Sequence, residues 1–79
     1  MRVKVRLFAT LVSYVSGVKA GVPFEFELPD ESTISDLMNR LSLPEKEIKV
    51  SFINGHVRPA GSRLQNGDEV GIFPPIGGG

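Results

Sequence analysis

From Arg2 to Phe8 the chain alternates without a break. Val3, Val5 and Leu7 fall on one face, and Arg2, Lys4 and Arg6 on the other. A period of two is the signature of a strand with one buried face. Val22 to Leu28 repeats the pattern, with Val22, Phe24, Phe26 and Leu28 on one face and Glu25 and Glu27 opposite. Pairing these strands antiparallel sets Lys4 and Arg6 against Glu25 and Glu27 on the solvent side. Such cross-strand pairs add about 0.2–1 kcal/mol each and specify register. Between the strands, Leu11, Val12 and Val15 have helical spacing. They predict a short helix over 9–16, closed near Gly17, and the residues up to Gly21 read as loop.

The segment PDESTISDLMNRLSLP predicts the main helix, over 33–42. Ile34, Leu37, Met38 and Leu41 form one apolar stripe. Thr33 and Asp36 have the spacing of a capping box, with Asp in the usual Glu or Gln position. Pro44 is expected to stop the helix. Ile48 to Asn54 reads as a strand with Ile48, Val50 and Phe52 inward, which leaves Ile53 outward. Asn54-Gly55 is a type I′ hairpin signal. The return leg, His56 to Arg58, is short because Pro59 limits it. A turn at Asn66-Gly67-Asp68 leads into a last strand, Glu69 to Phe73, with Val70 and Ile72 inward.

This order predicts an α+β roll: a mixed sheet of four to five strands with one main helix across it. The first and last strands are expected to pair in parallel at the centre, since neither has an interior proline. Residues 1–76 are read as one domain and 77–79 as a flexible glycine tail.

Composition narrows the function. A chain of 79 residues buries only about 60% of the surface its unfolded form exposes, so nearly every apolar residue is needed for the core. With no cysteine, disulfides, cysteine metal sites and thiol nucleophiles are excluded, which fits a cytoplasmic location. Nine Lys and Arg balance nine Asp and Glu, so no basic stripe points to nucleic acid. No apolar run reaches the roughly 20 residues of a membrane span, and MRVKVRLF does not read as a signal peptide.

Catalytic chemistry is hard to assemble from this inventory. The single histidine, His56, follows a hairpin turn, where an exposed polar residue is the ordinary case. No His, Asp or Glu pair has metal-ligand spacing, and no glycine-rich loop joins a strand to a helix. The remaining feature is the ending, FPPIGGG (73–79). A fraying terminus or a linker remnant is one reading. The other makes the carboxylate of Gly79 the reactive group, activated as an acyl-adenylate. Glycines would let Gly78 and Gly79 enter a narrow pocket, and Pro74 and Pro75 would hold the segment extended. Phe8, Ile53 and Phe73 are the apolar residues read as outward. With the last strand between the first and third, they cluster beside the tail as a docking surface, unless each is singly exposed or covered by a loop.

GDEVGIFPPIGGG (67–79), preceded by VRLFATL (5–11), resembles the ubiquitin-like sulfur carriers, the family of the molybdopterin synthase small subunit and the thiamine-pathway carrier. The resemblance spans the whole chain and implies the β-grasp fold shared with ubiquitin. It implies that an ATP-dependent, ubiquitin-activating-like adenylyltransferase adenylates Gly79. A sulfur donor enzyme then makes a thiocarboxylate. The carrier holds no cofactor itself, and it is not an enzyme on its own. Gly78 and Gly79 insert into the large synthase subunit, where sulfur passes to a pterin precursor, in molybdenum or tungsten cofactor synthesis. Phe73, Pro74, Pro75, Ile76 and Gly77 flank that interface, and the assembled synthase is a heterotetramer. Gly77 stands where many relatives have a small non-glycine residue, and the short stretch between Leu43 and Ile48 leaves out an extra helix found in some. The segment 9–21 and the FPP stalk favour the molybdopterin pathway over the thiamine one. A ubiquitin-like modifier conjugated through Gly79, and an interaction module with a passive tail, are the other readings.

Overall fold

The computed structural model describes residues 1–75 of the chain. The tail positions Ile76, Gly77, Gly78 and Gly79 lie outside the described residues. In chain order the elements are β1 (Arg2–Leu7), a 3₁₀ helix (Ala9–Tyr14), β2 (Phe24–Glu27), α1 (Ile34–Arg40), a 3₁₀ turn (Glu45–Glu47), β3 (Val50–Ile53), β4 (His56–Val57) and β5 (Glu69–Phe73). They make the expected α+β roll, with five strands in the order β2-β1-β5-β3-β4. β1 and β5 are parallel at the centre, and every other neighbouring pair is antiparallel.

Alternation decides the core. Val3, Val5 and Leu7 of β1 and Val70 and Ile72 of β5 are buried, and Ile34, Leu37, Met38 and Leu41 of the helical stripe join them in one cluster. The capping box forms with aspartate. The Thr33 hydroxyl accepts from the Asp36 N–H at 3.1 Å, and the Asp36 carboxylate accepts from the Thr33 N–H at 2.9 Å. Replacing Thr33 by Ala is expected to cost about 1 kcal/mol, or about 4–8 °C in Tm for a domain this small. Thermal unfolding followed by circular dichroism reads it, and an unchanged Tm would mean that the apolar stripe alone holds the helix start.

Several expected boundaries move. The main helix ends before Pro44 acts. Ser42 adopts φ 58°, and the Leu43 and Ser42 N–H groups bond back to Met38 and Asn39 carbonyls at 3.0 and 3.1 Å. That is a Schellman closure with serine in the usual glycine position. The short helix is 3₁₀ and stops at Tyr14. A 3₁₀ turn occupies Glu45–Glu47, where no helix was expected. β2 begins only at Phe24, and Val22 is half exposed, because Pro23 lacks the N–H a ladder needs.

The β1–β2 register is also shifted. Arg2 lies opposite Glu27 and Lys4 opposite Glu25, so Arg6 has no glutamate partner. Arg2 contacts Glu27 at 2.7 Å and Glu25 at 3.8 Å. Through the hydrogen bond first and charge attraction second, the pair raises the Arg2 pKa and lowers that of Glu27. Both groups are solvent exposed, so the pair fixes register more than it stabilises.

Candidate functional site

The outer face of the sheet carries the site. Alternation in β1 puts Leu7 into the core and Phe8 outward, and alternation in β5 does the same for Ile72 and Phe73. Because β1 and β5 run parallel with Leu7 opposite Ile72, Phe8 and Phe73 emerge side by side. Their rings stack with centroids 4.0 Å apart and planes within 5°. Phe52 of β3 meets Phe73 edge-on at 5.4 Å and 72°. Stacked and edge contacts between aromatic rings add about 0.5–1.5 kcal/mol each beyond the area they bury. The three rings therefore hold one another in place on the outer face, beside the charged side chains of β1 and β2.

Ile53 does not belong to this face. It lies opposite Val70 and packs against the core, while Ser51, opposite Ile72, is buried beside it. The expected phase of β3 is thus inverted: Val50 and Phe52 point outward. The tolerance for an inward serine has a local cause, since its hydroxyl donates to the Arg58 carbonyl at 2.8 Å and no buried polar atom is left unpaired among the described residues. A one-residue change of phase moves every side chain of a strand to the other face. Phe52 and Val50 were missed for this reason, as was Val57, which pairs with Phe52 and is 61% exposed. The only signal for them in the sequence is the adjacent apolar pair Phe52-Ile53, which suits either phase.

The chain leaves this face directly into its C-terminal segment. The Lys49 N–H donates to the Phe73 carbonyl at 2.8 Å, anchoring the end of β5 to the start of β3. Pro74 is buried and Pro75 exposed. Lys49, Val50, Phe52, Phe73 and Pro74 line a groove of about 390 Å³ where the chain departs. At the other end of β5, Asn54 links the hairpin to the GDE turn. Its side chain accepts from the Glu69 N–H at 2.9 Å and donates to Asp68 at 3.0 Å. The turn at Asn54-Gly55 has both residues at positive φ, as type I′ requires.

Nothing resembling a catalytic constellation accompanies these residues. His56 is exposed, and among the described residues no group of three or more His, Asp or Glu could hold a metal ion. A second cleft, about 440 Å³, runs between Met38 of α1 and Val57 of β4. Its one hydroxyl, that of Ser51, is already bonded to Arg58. Among the described residues no helix is long and apolar enough to cross a membrane.

Comparison with known proteins places the chain in a family. The ThiS family description matches residues 5–79. The chain belongs to the ThiS family. These ThiS-type proteins are ubiquitin-like sulfur carriers. Solved structures agree with that placement. A Pyrococcus furiosus protein assigned as molybdopterin converting factor subunit 1 is 27% identical with a TM-score of 0.73, over 96% of this chain and 99% of that one. Small archaeal modifier protein 1 of Haloferax volcanii has a TM-score of 0.73 at 22% identity, over 95% and 98% of the two chains. A complex of subunits 1 and 2 of the molybdopterin-converting factor from Helicobacter pylori gives 0.62 at 24% identity, over the full length of both chains. The last two likenesses establish the β-grasp fold alone. No curated protein matches the sequence.

Proposed function

We propose that this ThiS-family protein carries sulfur as a thiocarboxylate on Gly79 and delivers it as the small subunit of molybdopterin synthase. The observation that carries the reading is the junction at Phe73: one residue belongs both to the aromatic face and to the root of FPPIGGG. Docking and delivery are thereby coupled. A partner that covers the rings is placed where the chain leaves the sheet. Ordering a glycine segment costs entropy, and the rigid face offsets that cost, because its rings are already fixed by one another before binding.

The chemistry follows from the carboxylate. A carboxylate oxygen of Gly79 attacks the α-phosphorus of ATP and releases pyrophosphate. Sulfide then attacks the acyl carbon and expels AMP, which leaves the thiocarboxylate. The adenylating enzyme supplies the catalytic groups for the first step. The large synthase subunit supplies those for sulfur transfer to the pterin precursor, with Gly78 and Gly79 inserted into its site. Phe8, Phe52 and Phe73 act here as a docking surface, and Pro74, Pro75, Ile76 and Gly77 as the stalk. The Helicobacter pylori complex of two converting-factor subunits supports a large-subunit partner. The family name and the Haloferax modifier mark the two competing fates, thiamine-pathway delivery and conjugation to protein lysines. Both use the same adenylate.

Intact-protein mass spectrometry tests the proposal. Incubation with ATP, sulfide and the adenylating enzyme of the same organism is expected to add the mass of one sulfur-for-oxygen exchange, confined to the C-terminal fragment. No gain, with the enzyme active on another carrier, would sink it. Isopeptide-linked adducts in cells without any thiocarboxylate would favour the modifier reading.

A further inference from the structure

Gly71 lies in the middle of β5, the strand flanked by β1 and β3. Glycine inside a strand weakens it by about 0.5–1 kcal/mol relative to alanine, and it often marks a close approach by another molecule. Neither of the usual structural reasons for glycine applies. Its φ lies outside the left-handed region, and a Cβ built there would sit 3.7 Å from Phe73, 3.8 Å from Phe8 and 4.0 Å from Phe52. Those are ordinary van der Waals contacts. The fold admits alanine at this position, yet the position is bare.

The bare position leaves a depression of about 280 Å³ in the outer face. Phe8, Phe52 and Phe73 wall it, and Arg6 and Glu69 stand on its rim. The rim cation is unlike its neighbours on β1. Arg2 lies opposite Glu27, and Lys4 lies between Glu25 and Glu69, whereas Arg6 lies opposite Gly71. Among the described residues Arg6 takes part in no salt bridge. An apolar hollow with a free guanidinium beside it complements an apolar side chain flanked by a carboxylate.

The chain itself limits which proteins can supply them to those that hold the Gly79 carboxylate, of which the activating enzyme is the first. Phe73, one wall of the hollow, is followed by Pro74 and Pro75. The four residues from Ile76 to Gly79 can span at most about 14 Å. A protein that holds the Gly79 carboxylate therefore lies within that distance of Pro75, against this end of the sheet. We infer that Gly71 floors a socket for one bulky apolar side chain of the enzyme that activates Gly79, and that Arg6 pairs with a carboxylate next to that side chain. This rests on the carrier reading above. Buried central anchors dominate interface energies, so the socket is a specificity determinant for that enzyme and takes no part in the chemistry.

The test is ATP–pyrophosphate exchange by the adenylating enzyme of the same organism, with the full chain as substrate. Gly71→Val fills the socket with a good strand former. It is expected to raise the KM for the carrier about tenfold or more while leaving kcat near the parent value, because the tail is intact. Its γ-methyls extend toward side chains that already lie 3.7–4.0 Å from the Cβ position, so Tm is measured beside KM. If valine lowers the Tm, Gly71→Ala carries the test with a smaller rise in KM. Arg6→Glu is expected to raise KM and flatten its salt dependence, and Arg6→Lys to restore part of both. An unchanged KM for folded Gly71→Val and Gly71→Ala, with the parent chain turning over, overturns the socket and leaves the carrier reading intact. Failure of the parent chain itself to support exchange overturns both.

Discussion

Deleting Gly78 and Gly79 is expected to abolish sulfur incorporation completely while the protein stays folded. The sheet, the helix and the aromatic face all lie within residues 1–75, so the truncated chain keeps its Tm and its docking surface. What it loses is reach. Two residues of extended chain amount to about 7 Å, and misplacing a reacting group by about 1 Å can already cost on the order of 100-fold. The carboxylate of Gly77 in the truncated chain would stop well short of the adenylating site. Thiocarboxylate should be undetectable by mass spectrometry, and conversion of the pterin precursor by the reconstituted synthase should fall to background. The truncated chain should also compete with the intact one for partners, since the face is unchanged. Retained sulfur loading would show that Gly79 is not the reactive terminus.

Leu7→Ala is the second large effect, and its neighbour supplies the contrast. Leu7 is fully buried in β1, opposite Ile72 in the central parallel pair. Truncating such a leucine costs about 3–5 kcal/mol, from lost burial and the cavity left behind. A chain of this length has a total stability of about 4–12 kcal/mol. The variant should therefore lose a large share of its stability, and its urea midpoint should fall by about 2 M or more. Phe8→Ala, one residue along, removes a ring from the outer face instead. It should lower the midpoint less and weaken partner binding more. Equal losses of stability at both positions would contradict the assignment of Leu7 to the core and Phe8 to the docking face.

Much of the fold is legible along the chain because the rules involved are local. Strict alternation marks β1 and β5 from their own residues. The Asn54-Gly55 turn needs two positive φ angles that few other pairs adopt easily, and it is where the pair predicts. Thr33 and Asp36 cap α1 at a spacing that three consecutive peptide units define. The FPPIGGG ending and its GDEV approach stand in the sequence as they are, and with VRLFATL they carry the resemblance to the sulfur carriers.

Local rules ran out at the phase of β3 and at the register of β2 on β1. In VSFIN one phase buries Val50 and Phe52, and the other buries Ile53 together with Ser51, which then needs a hydrogen-bond partner. The choice fell to the ladder with β5, which puts Ser51 opposite Ile72 and sends Phe52 outward. The register of β2 on β1 decided that Arg2 and Lys4, and not Arg6, face glutamates. The stack of Phe8 on Phe73 joins residues from opposite ends of the chain. It exists only because β1 and β5 run parallel in one register. Period and turn chemistry are properties of a few consecutive residues, so the sequence displays them directly. Which face β3 buries, and the register in which β2 meets β1, depend on hydrogen bonds between distant segments, and for this protein only the folded sheet supplied them.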